Sequence, residues 1–385
     1  IRDDALVLDM SALNSISVDV DNMTAVVGPG VKSRDLAAHL AEFNLAFPVG
    51  HCGGVAMGGF LLGGGIGINW TGWGPSSFLL KGIDVIGSDG VVRHVDDTSE
   101  PDLMWLARGC GPSFPGVITG YHIDLKPEPV VAQSTYLFPA ERMSEVTTWL
   151  DGQRDAIRPT VEVLVTLVGA FACELMGLEV PHDSRYVIVV ATAYESSVEE
   201  AEIALRPLNA GPVHSSALVA DHATPALFKD LPAWFDALWP DGLRLYADTA
   251  WTDEDVSNSV GLLEEHVKSC PSDRTVVLGV LASGLPLPGD ANFSMVRKTL
   301  VILYAFYETA EEDTRCTAWV KQAMHILSPV TKGHWLGESN LSSHPSRARK
   351  SFAPENWTKA RKIRAAYDPD HRFADYILAD YNHTS

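Results

Sequence analysis

One short stretch of the sequence combines a reactive side chain with unusual backbone freedom. Residues 50–67 read GHCGGVAMGGFLLGGGIG, in which nine of the eighteen residues are glycine and Cys52 lies near the start. Glycine inside a regular element costs about 0.5–1 kcal/mol relative to alanine, so this density needs a compensating gain. No Gly-Lys-Ser/Thr follows and no GxGxxG is present, which excludes a P-loop and a Rossmann fingerprint. The stretch is typical either of backbone amides that approach an anionic ligand closely or of a glycine-rich turn at a tight packing corner.

A second glycine-rich segment follows later in the chain. Residues 108–125 read RGCGPSFPGVITGYHIDL, with Gly109, Gly111 and Gly116 ahead of a β-branched run. Two such loops could wrap a single extended cofactor.

The charge and the cysteines exclude several classes of protein. The formal net charge is −20, which repels nucleic acid and anionic membrane surfaces, so we expect neither as a partner. The five cysteines are far apart and include no CxxC motif, which argues against a disulfide framework or a zinc site. We therefore expect no metal. No transmembrane run or signal peptide is visible, and the compartment stays open, with a slight preference for the cytoplasm over secretion.

The residue pattern predicts two regions that meet at Lys126-Pro127-Glu128-Pro129. In the first region it predicts strands at 5–9, 15–19 and 24–27, a helix over 34–44, a hairpin at 80–95 and a helix at 101–107. In the second it predicts five strands, at 161–168, 186–193, 244–251, 275–282 and 301–307. Helices at 141–157, 199–208, 254–268 and 311–326 are expected to cover one face of the sheet, and a last helix is expected at 354–366. This is the pattern of an α+β fold.

Four segments, in this order, resemble the FAD-linked oxidases of the vanillyl-alcohol-oxidase (PCMH-type) fold, in particular their berberine-bridge-enzyme-like branch. They are LVLDMSALNSISVDVDNMTAVVGPGV (6–31), PVGHCGGVAMGGFLLGGGIG (48–67), DLMWLARGCGPSFPGVIT (102–119) and YDPDHRF (367–373). The resemblance implies a PCMH-type FAD-binding domain over 1–129 and an α+β substrate domain over 130–330 whose antiparallel sheet is covered by helices. It also implies that 331–385 returns to the FAD domain. The family's RxGGH-like N-terminal stretch does not precede Ile1; it is either missing upstream or lost.

The resemblance also implies FAD as the cofactor. In this branch a cysteine just before the glycines can form a 6-S-cysteinyl bond to the flavin, and Cys52 has that position; the alternative is a free thiol in noncovalent contact. Flavin and pyrophosphate contacts are expected from Gly50, His51, Gly53, Val55, Gly58, Gly59, Gly63, Gly64, Gly65 and Gly67. Contacts to the adenine half or pyrophosphate are expected from Gly116, Val117 and Ile118, although Cys110 and Pro115 depart from the family pattern there.

Flavin-dependent oxidation needs a group that takes the substrate's O–H or N–H proton while a hydride goes to N5. The resemblance directs attention to strands of the substrate domain, where Tyr304 and Asp248 are the candidates. KGHWLGESNL (332–341) resembles the family segment that returns to the flavin, which adds Glu338 as a candidate for catalysis and Asn340 as a cofactor contact. Each of these residues also has a plain structural interpretation, such as a tyrosine at a core edge or a capping carboxylate.

Together these observations predict an FAD-dependent oxidoreductase. It would oxidise an alcohol or amine carbon of a small organic substrate, with oxygen or another compound as the electron acceptor and oxygen preferred. Two alternatives stay open: a flavin-fold binding module without catalysis, and a flavin-dependent cyclase or isomerase without net oxidation. The oligomeric state is not predicted.

Overall fold

The computed structural model describes residues 5–182, 184–209, 216–239, 242–282, 287–341 and 343–375. Two antiparallel sheets organise the described part of the chain, one built before residue 125 and the other after residue 129. No helix in the described ranges combines the length and the apolar character that crossing a bilayer requires.

The smaller sheet carries the first glycine-rich segment on its connections. The strands of this region are β1 (Ile16–Asp19), β2 (Thr24–Val27), β3 (Leu45–Ala46), β4 (Leu80–Ile86), β5 (Val92–Asp96), β6 (Val117–Asp124) and β7 (Lys126–Pro127). The helices are α1 (Ser33–Ala41), α2 (Met57–Leu62), α3 (Trp70–Trp73) and α4 (Pro101–Ala107). Five strands pair in the order β1-β2-β6-β4-β5, and β3 pairs with β7 separately.

The larger sheet has eight strands in the order β11-β8-β10-β9-β13-β14-β12-β15. They are β8 (Val130–Pro139), β9 (Val161–Gly169), β10 (Arg185–Glu195), β11 (Val219–Ala226), β12 (Arg244–Thr252), β13 (Val276–Leu281), β14 (Thr299–Tyr307) and β15 (Thr331–Gly333). The helices of this part are α5 (Met143–Gln153), α6 (Ala170–Leu175), α7 (Val198–Asn209), α8 (Leu231–Leu238), α9 (Glu264–Val267), α10 (Asp313–Leu327) and α11 (Pro354–Tyr367).

The two faces of the larger sheet have different neighbours. Helices α5, α7 and α10 pack their apolar residues on one face, in a core that includes Val165 of β9 and Leu303 of β14. The opposite face, which includes Leu164 and Ile302, packs against residues from the glycine-rich region such as Ile66 and Trp70. Because successive side chains of a strand point to opposite faces, the central strands are apolar on both.

The C-terminal segment packs on the core of the smaller sheet. Helix α11 contributes Ala360 and Ile363 to the core of the smaller sheet. Its Arg364 is 3% exposed, donates to the carbonyl of Ser113 at 2.5 Å and pairs with Asp368 at 3.3 Å. Asp368 in turn accepts the backbone N–H of Phe373 at 3.0 Å. Through Asp368, the YDPDHRF motif therefore helps to hold residues 364–373 against the second glycine-rich segment.

Phe293 joins the two glycine-rich segments. Gly64 and Gly109 have φ values of +98° and +112°, and a Cβ on either residue would collide with Phe293. The N–H of Phe293 also donates to the carbonyl of Arg108 at 2.8 Å. Both glycines are thus required by backbone conformation and by close approach.

Some sequence-based predictions differ from the structure. Residues 5–9 form no strand, and Leu6 is 87% exposed; within the described ranges no strand pairs with this segment. The helix predicted at 254–268 is only a 3-10 turn at Val260–Leu263 followed by α9. Three strands of the larger sheet, β8, β11 and β15, were not predicted, because β8 follows a proline pair and β11 and β15 are polar.

The domain limits at 129 and 330 stay a prediction, and we propose the same division here. The two sheets separate within residues 125–129. One difference is that β15, at 331–333, still belongs to the larger sheet. Residues 1–4 and 376–385 of the predicted units lie outside the described part of the chain.

We predict that Gly109→Ala lowers the free energy of unfolding by more than Gly90→Ala does. Gly90 has a φ of +78° and open space around it, so alanine there adds only backbone strain, about 1 kcal/mol. At Gly109 the new methyl group also meets Phe293, which adds overpacking of about 1–3 kcal/mol. Urea denaturation of both variants measures the difference, and equal losses would contradict the packing role of Phe293.

Candidate active site

A cavity of about 590 Å³ lies between the first glycine-rich segment and the larger sheet. Its lining comes from the glycine-rich segments, from the sheet and α8, and from the loop after β15. The lining residues are Gly50, His51, Cys52, Val55, Ala56, Gly59, Phe60, Gly63, Ile66, Gly111, Pro112, Leu164, Phe235, Trp239, Leu278, Val280, Leu300, Ile302, Tyr304, Trp335, Leu336, Gly337 and Glu338. Most of these side chains are apolar, so the few polar ones stand out.

The first part of the glycine-rich segment, residues 50–55, is held by hydrogen bonds to two helices. Ser33, at the start of α1, accepts the N–H of Gly50 at 3.1 Å and donates to the carbonyl of Val55 at 3.1 Å. On the other side, Asp236 of α8 accepts the N–H of Gly54 at 3.2 Å. These bonds hold the loop that carries Cys52 against α1 and α8.

Cys52, Tyr304 and Glu338 form the polar group within the cavity. Burial raises the pKa of the Cys52 thiol to about 12, and the charges of Glu338 and Asp236 add to the shift. Burial also raises the pKa of Tyr304 well above its usual value, again with Glu338 contributing. Both groups therefore hold their protons at neutral pH.

Glu338 has the most informative pKa of the site. Burial raises it to about 7, because no positive charge of the described residues compensates the carboxylate in these apolar surroundings. The carboxyl is consequently poised between its protonated and ionised forms at neutral pH, which is the range in which a general base is most effective.

His51 belongs to a hydrogen-bonded group of side chains that the sequence did not predict. Its Nε2 lies 3.0 Å from Glu162 Oε1, and the Tyr194 hydroxyl donates to Glu162 Oε2 at 3.2 Å. The Glu162 side chain is 3% exposed. Since Glu162 follows His51 by 111 residues, only the pairing of the sheet with the loop reveals this contact.

The sequence predicted Asp248 as a catalytic residue facing the cofactor, but the structure places it elsewhere. It pairs with Leu303 of β14, while Ala247 pairs with Tyr304, and residues directly opposite in an antiparallel pair share a face. Asp248 therefore lies on the face opposite Tyr304 and is not part of the cavity lining. It is 1% exposed and forms an ion pair with Arg347, so we propose a structural role for it.

The predicted cofactor contacts divide into two groups. Six of the predicted contacts line the cavity: Gly50, His51, Cys52, Val55, Gly59 and Gly63. The remaining ones are outside the lining: Gly53, Gly58, Gly64, Gly65, Gly67, Gly116, Val117, Ile118 and Asn340. Their assignment to the cofactor stays a prediction.

Local packing accounts for most of the second group. A Cβ on Gly53 would lie 2.6 Å from Asp236, and one on Gly116 would lie 2.7 Å from Val85. Val117 and Ile118 pair with β4. Asn340 accepts the N–H of Ser343 at 2.9 Å, which closes a turn just after Glu338.

Comparison with known proteins agrees with this geometry. A family model described as an FAD binding domain, FAD_binding_4, matches residues 1–96. The chain is 27% identical to the FAD-linked oxidoreductase nodO of Hypoxylon pulicicidum over 390 residues, 99% of this chain and 82% of the relative. It is 24% identical to (R)-6-hydroxynicotine oxidase of Paenarthrobacter nicotinovorans over 380 residues, 97% and 81% of the two chains.

Two solved structures show the same fold. 6-Hydroxy-D-nicotine oxidase from Arthrobacter nicotinovorans superposes with a TM-score of 0.81 at 20% identity, over 97% of this chain and 82% of the other. Berberine bridge enzyme from Eschscholzia californica superposes with a TM-score of 0.76 at 16% identity, over 96% and 79%.

Fold and site together define an FAD-linked oxidoreductase with the PCMH-type FAD-binding fold. The fold is the one shared by 6-hydroxy-D-nicotine oxidase and berberine bridge enzyme, as the resemblance implied. The predicted fold class, cofactor and enzyme class are confirmed.

The cavity residues fit FAD. Gly59 lines the cavity, and a Cβ placed on it would meet no atom within 4 Å, so open space begins at the backbone of α2. Facing it, Leu278 and Ile302 supply an apolar wall, which suits a planar aromatic ring. Gly50, Gly59, Gly63 and Gly111 would lie against the cofactor, with Cys52 among them.

Proposed function

We propose that the chain oxidises an amine or alcohol carbon of a small, largely apolar substrate in this cavity, with Glu338 as the base. Bound FAD supplies the two-electron acceptor for the hydride. The observation that carries the proposal is Glu338, a carboxyl group that lines the cavity, has no positive partner among the residues that the structure describes, and has a pKa that burial raises to about 7.

The walls of the cavity support an apolar substrate. The aromatic side chains of Phe235, Trp239 and Trp335 line it together with aliphatic residues from the sheet. Trp239 packs edge-on to Tyr304, with ring centroids 5.3 Å apart. A substrate with an aromatic or aliphatic body and one N–H or O–H group would bury the body here and direct the polar group to Glu338.

Tyr304 is proposed to orient that polar group. Its raised pKa keeps the hydroxyl protonated, so it can donate a hydrogen bond but does not serve as the base. Glu338 accepts the substrate proton while the hydride leaves, and a buried carboxylate gains by taking up that proton because its charge is removed from apolar surroundings.

We propose oxygen as the electron acceptor and Cys52 as the covalent anchor. A relative that matches nearly the whole chain is named an oxidase, which supports oxygen. The anchoring bond would join Cys52 Sγ to C6 of the flavin ring. It replaces the S–H and C6–H bonds, so two protons and two electrons leave, and oxygen takes the electrons.

We predict that Glu338→Gln slows anaerobic flavin reduction by about 10²- to 10⁴-fold at neutral pH. In the wild type the rate should rise as the pH passes through about 7, because only the ionised carboxylate accepts a proton. The variant should lose this rise. Stopped-flow absorbance measures both effects, with 6-hydroxynicotine and a panel of apolar secondary alcohols as probes.

Glu355→Gln is the matched control, since Glu355 is exposed on α11. It should keep the wild-type rate and pH profile. A Glu338→Gln variant that reduces its flavin at the wild-type rate, with the same rise near neutral pH, would contradict the assigned base.

We predict that acid precipitation of the wild-type holoprotein leaves the yellow flavin in the pellet, and that Cys52→Ala releases it to the supernatant. Cys270→Ala is the control, because Cys270 is partly exposed and is not part of the cavity lining; it should behave as the wild type. Flavin released from the wild type would rule out the thioether but not the use of FAD.

A further inference from the structure

Two histidines and an aspartate meet on the outer face of the smaller sheet, away from the cavity. Asp84 lies on β4, directly opposite His94 of β5. His122 comes from β6 on the other side of β4, where it pairs with Gly82. On β4, Ile83 and Val85 are fully buried in the core, so Asp84 between them points outward.

The donor atoms of the three side chains are close together. Asp84 Oδ1 lies 2.8 Å from His94 Nδ1, and Asp84 Oδ2 lies 2.9 Å from His122 Nε2. One donor atom from each residue can be chosen so that all three lie within 4.8 Å of one another. The imidazole rings meet edge to face, with centroids 4.6 Å apart.

Two glycines beside the cluster leave room for its side chains. A Cβ on Gly120 would lie 2.9 Å from Asp84 Oδ2, and one on Gly82 would lie 3.0 Å from His94 Cε1. Solvent still reaches the site, since the side chains of Asp84, His94 and His122 are 36%, 49% and 31% exposed. An ion could therefore enter from water.

We propose that Asp84, His94 and His122 bind a divalent transition-metal ion, with zinc as the preferred metal. Two imidazoles and one carboxylate are a donor set that zinc uses in proteins, with water in the open position. Neighbouring ligands on tetrahedral zinc are about 3.3 Å apart, so the hydrogen-bonded pairs would open by about half an ångström.

The strand that carries His94 also brings a further carboxylate close to the cluster. A second carboxylate, Asp96, lies 4.0 Å from His94 Nε2. It can orient the ring through the nitrogen that does not face Asp84, as partners of metal-bound histidines do.

The bound ion would link three adjacent strands. None of its ligands lines the cavity, so the site serves the stability of the sheet rather than the oxidation. Its detection does not depend on the proposed substrate chemistry.

The test is zinc titration of the full FAD-loaded protein after dialysis against a chelator. Isothermal calorimetry should give one zinc per chain for the wild type, and added zinc should raise the melting temperature. His122→Ala should weaken binding by about tenfold or more and should remove the thermal shift. His182→Ala is the control, because His182 pairs with Glu174 at 3.2 Å on the surface but is outside the cluster.

Equal zinc affinity in the wild type and in His122→Ala would overturn the proposal, and the cluster would then be a hydrogen-bonded tie between strands. Flavin absorbance checks that each variant is folded. If His122→Ala fails to fold, His94→Ala replaces it, because His94 is half exposed on the edge strand β5 and its loss disturbs the core least.

Discussion

The close approach of Phe293 to Gly64 and Gly109 is the packing constraint on which the site depends. Both glycines have positive φ values and no room for a Cβ. Phe293 precedes β14, so its contacts place the two glycine-rich segments against the larger sheet. The cavity is the space that remains between them.

Burial then gives the three acidic residues near the cavity and the sheet different properties. Asp248 is compensated by Arg347, and Glu162 is held between His51 and Tyr194. Within the described part of the chain Glu338 has no such partner, and its pKa rises to about 7. The same residue types thus contribute to packing in two places, while the carboxyl left uncompensated in apolar surroundings is the one proposed to transfer a proton.

Much of this could be predicted from sequence, and the failures have physical causes. Apolar or alternating runs predicted β9, β10, β12, β13 and β14. The predicted site residues Cys52, Tyr304 and Glu338 line the cavity, whereas Asp248 does not, and their roles stay a prediction. Residue spacing shows which side chains of one strand share a face, while the partner strand decides which face meets the cavity.

Contacts between residues that are far apart in the sequence could not be predicted, for the same reason. The His51–Glu162 pair joins a loop to a strand, and the Asp84–His94–His122 cluster joins three strands. Neither has a spacing that a sequence pattern would reveal. The polar edge strands β11 and β15 lack the apolar alternation by which strands are usually identified. In each case the missing information is the pairing of strands rather than local preference.

The proposed place for FAD is the space bounded by α2 and the larger sheet, and the Gly59→Leu variant is the most direct test of it. Gly59 is helical and lines the cavity, and a Cβ there meets no atom within 4 Å. The leucine should therefore leave the fold intact, as judged by circular dichroism and melting temperature, but should abolish flavin binding. Gly152→Leu is the matched control, a helical glycine in α5 that also has open space around it; it should keep its flavin. A folded Gly59→Leu protein that retains the wild-type flavin content would contradict the placement of FAD beside α2.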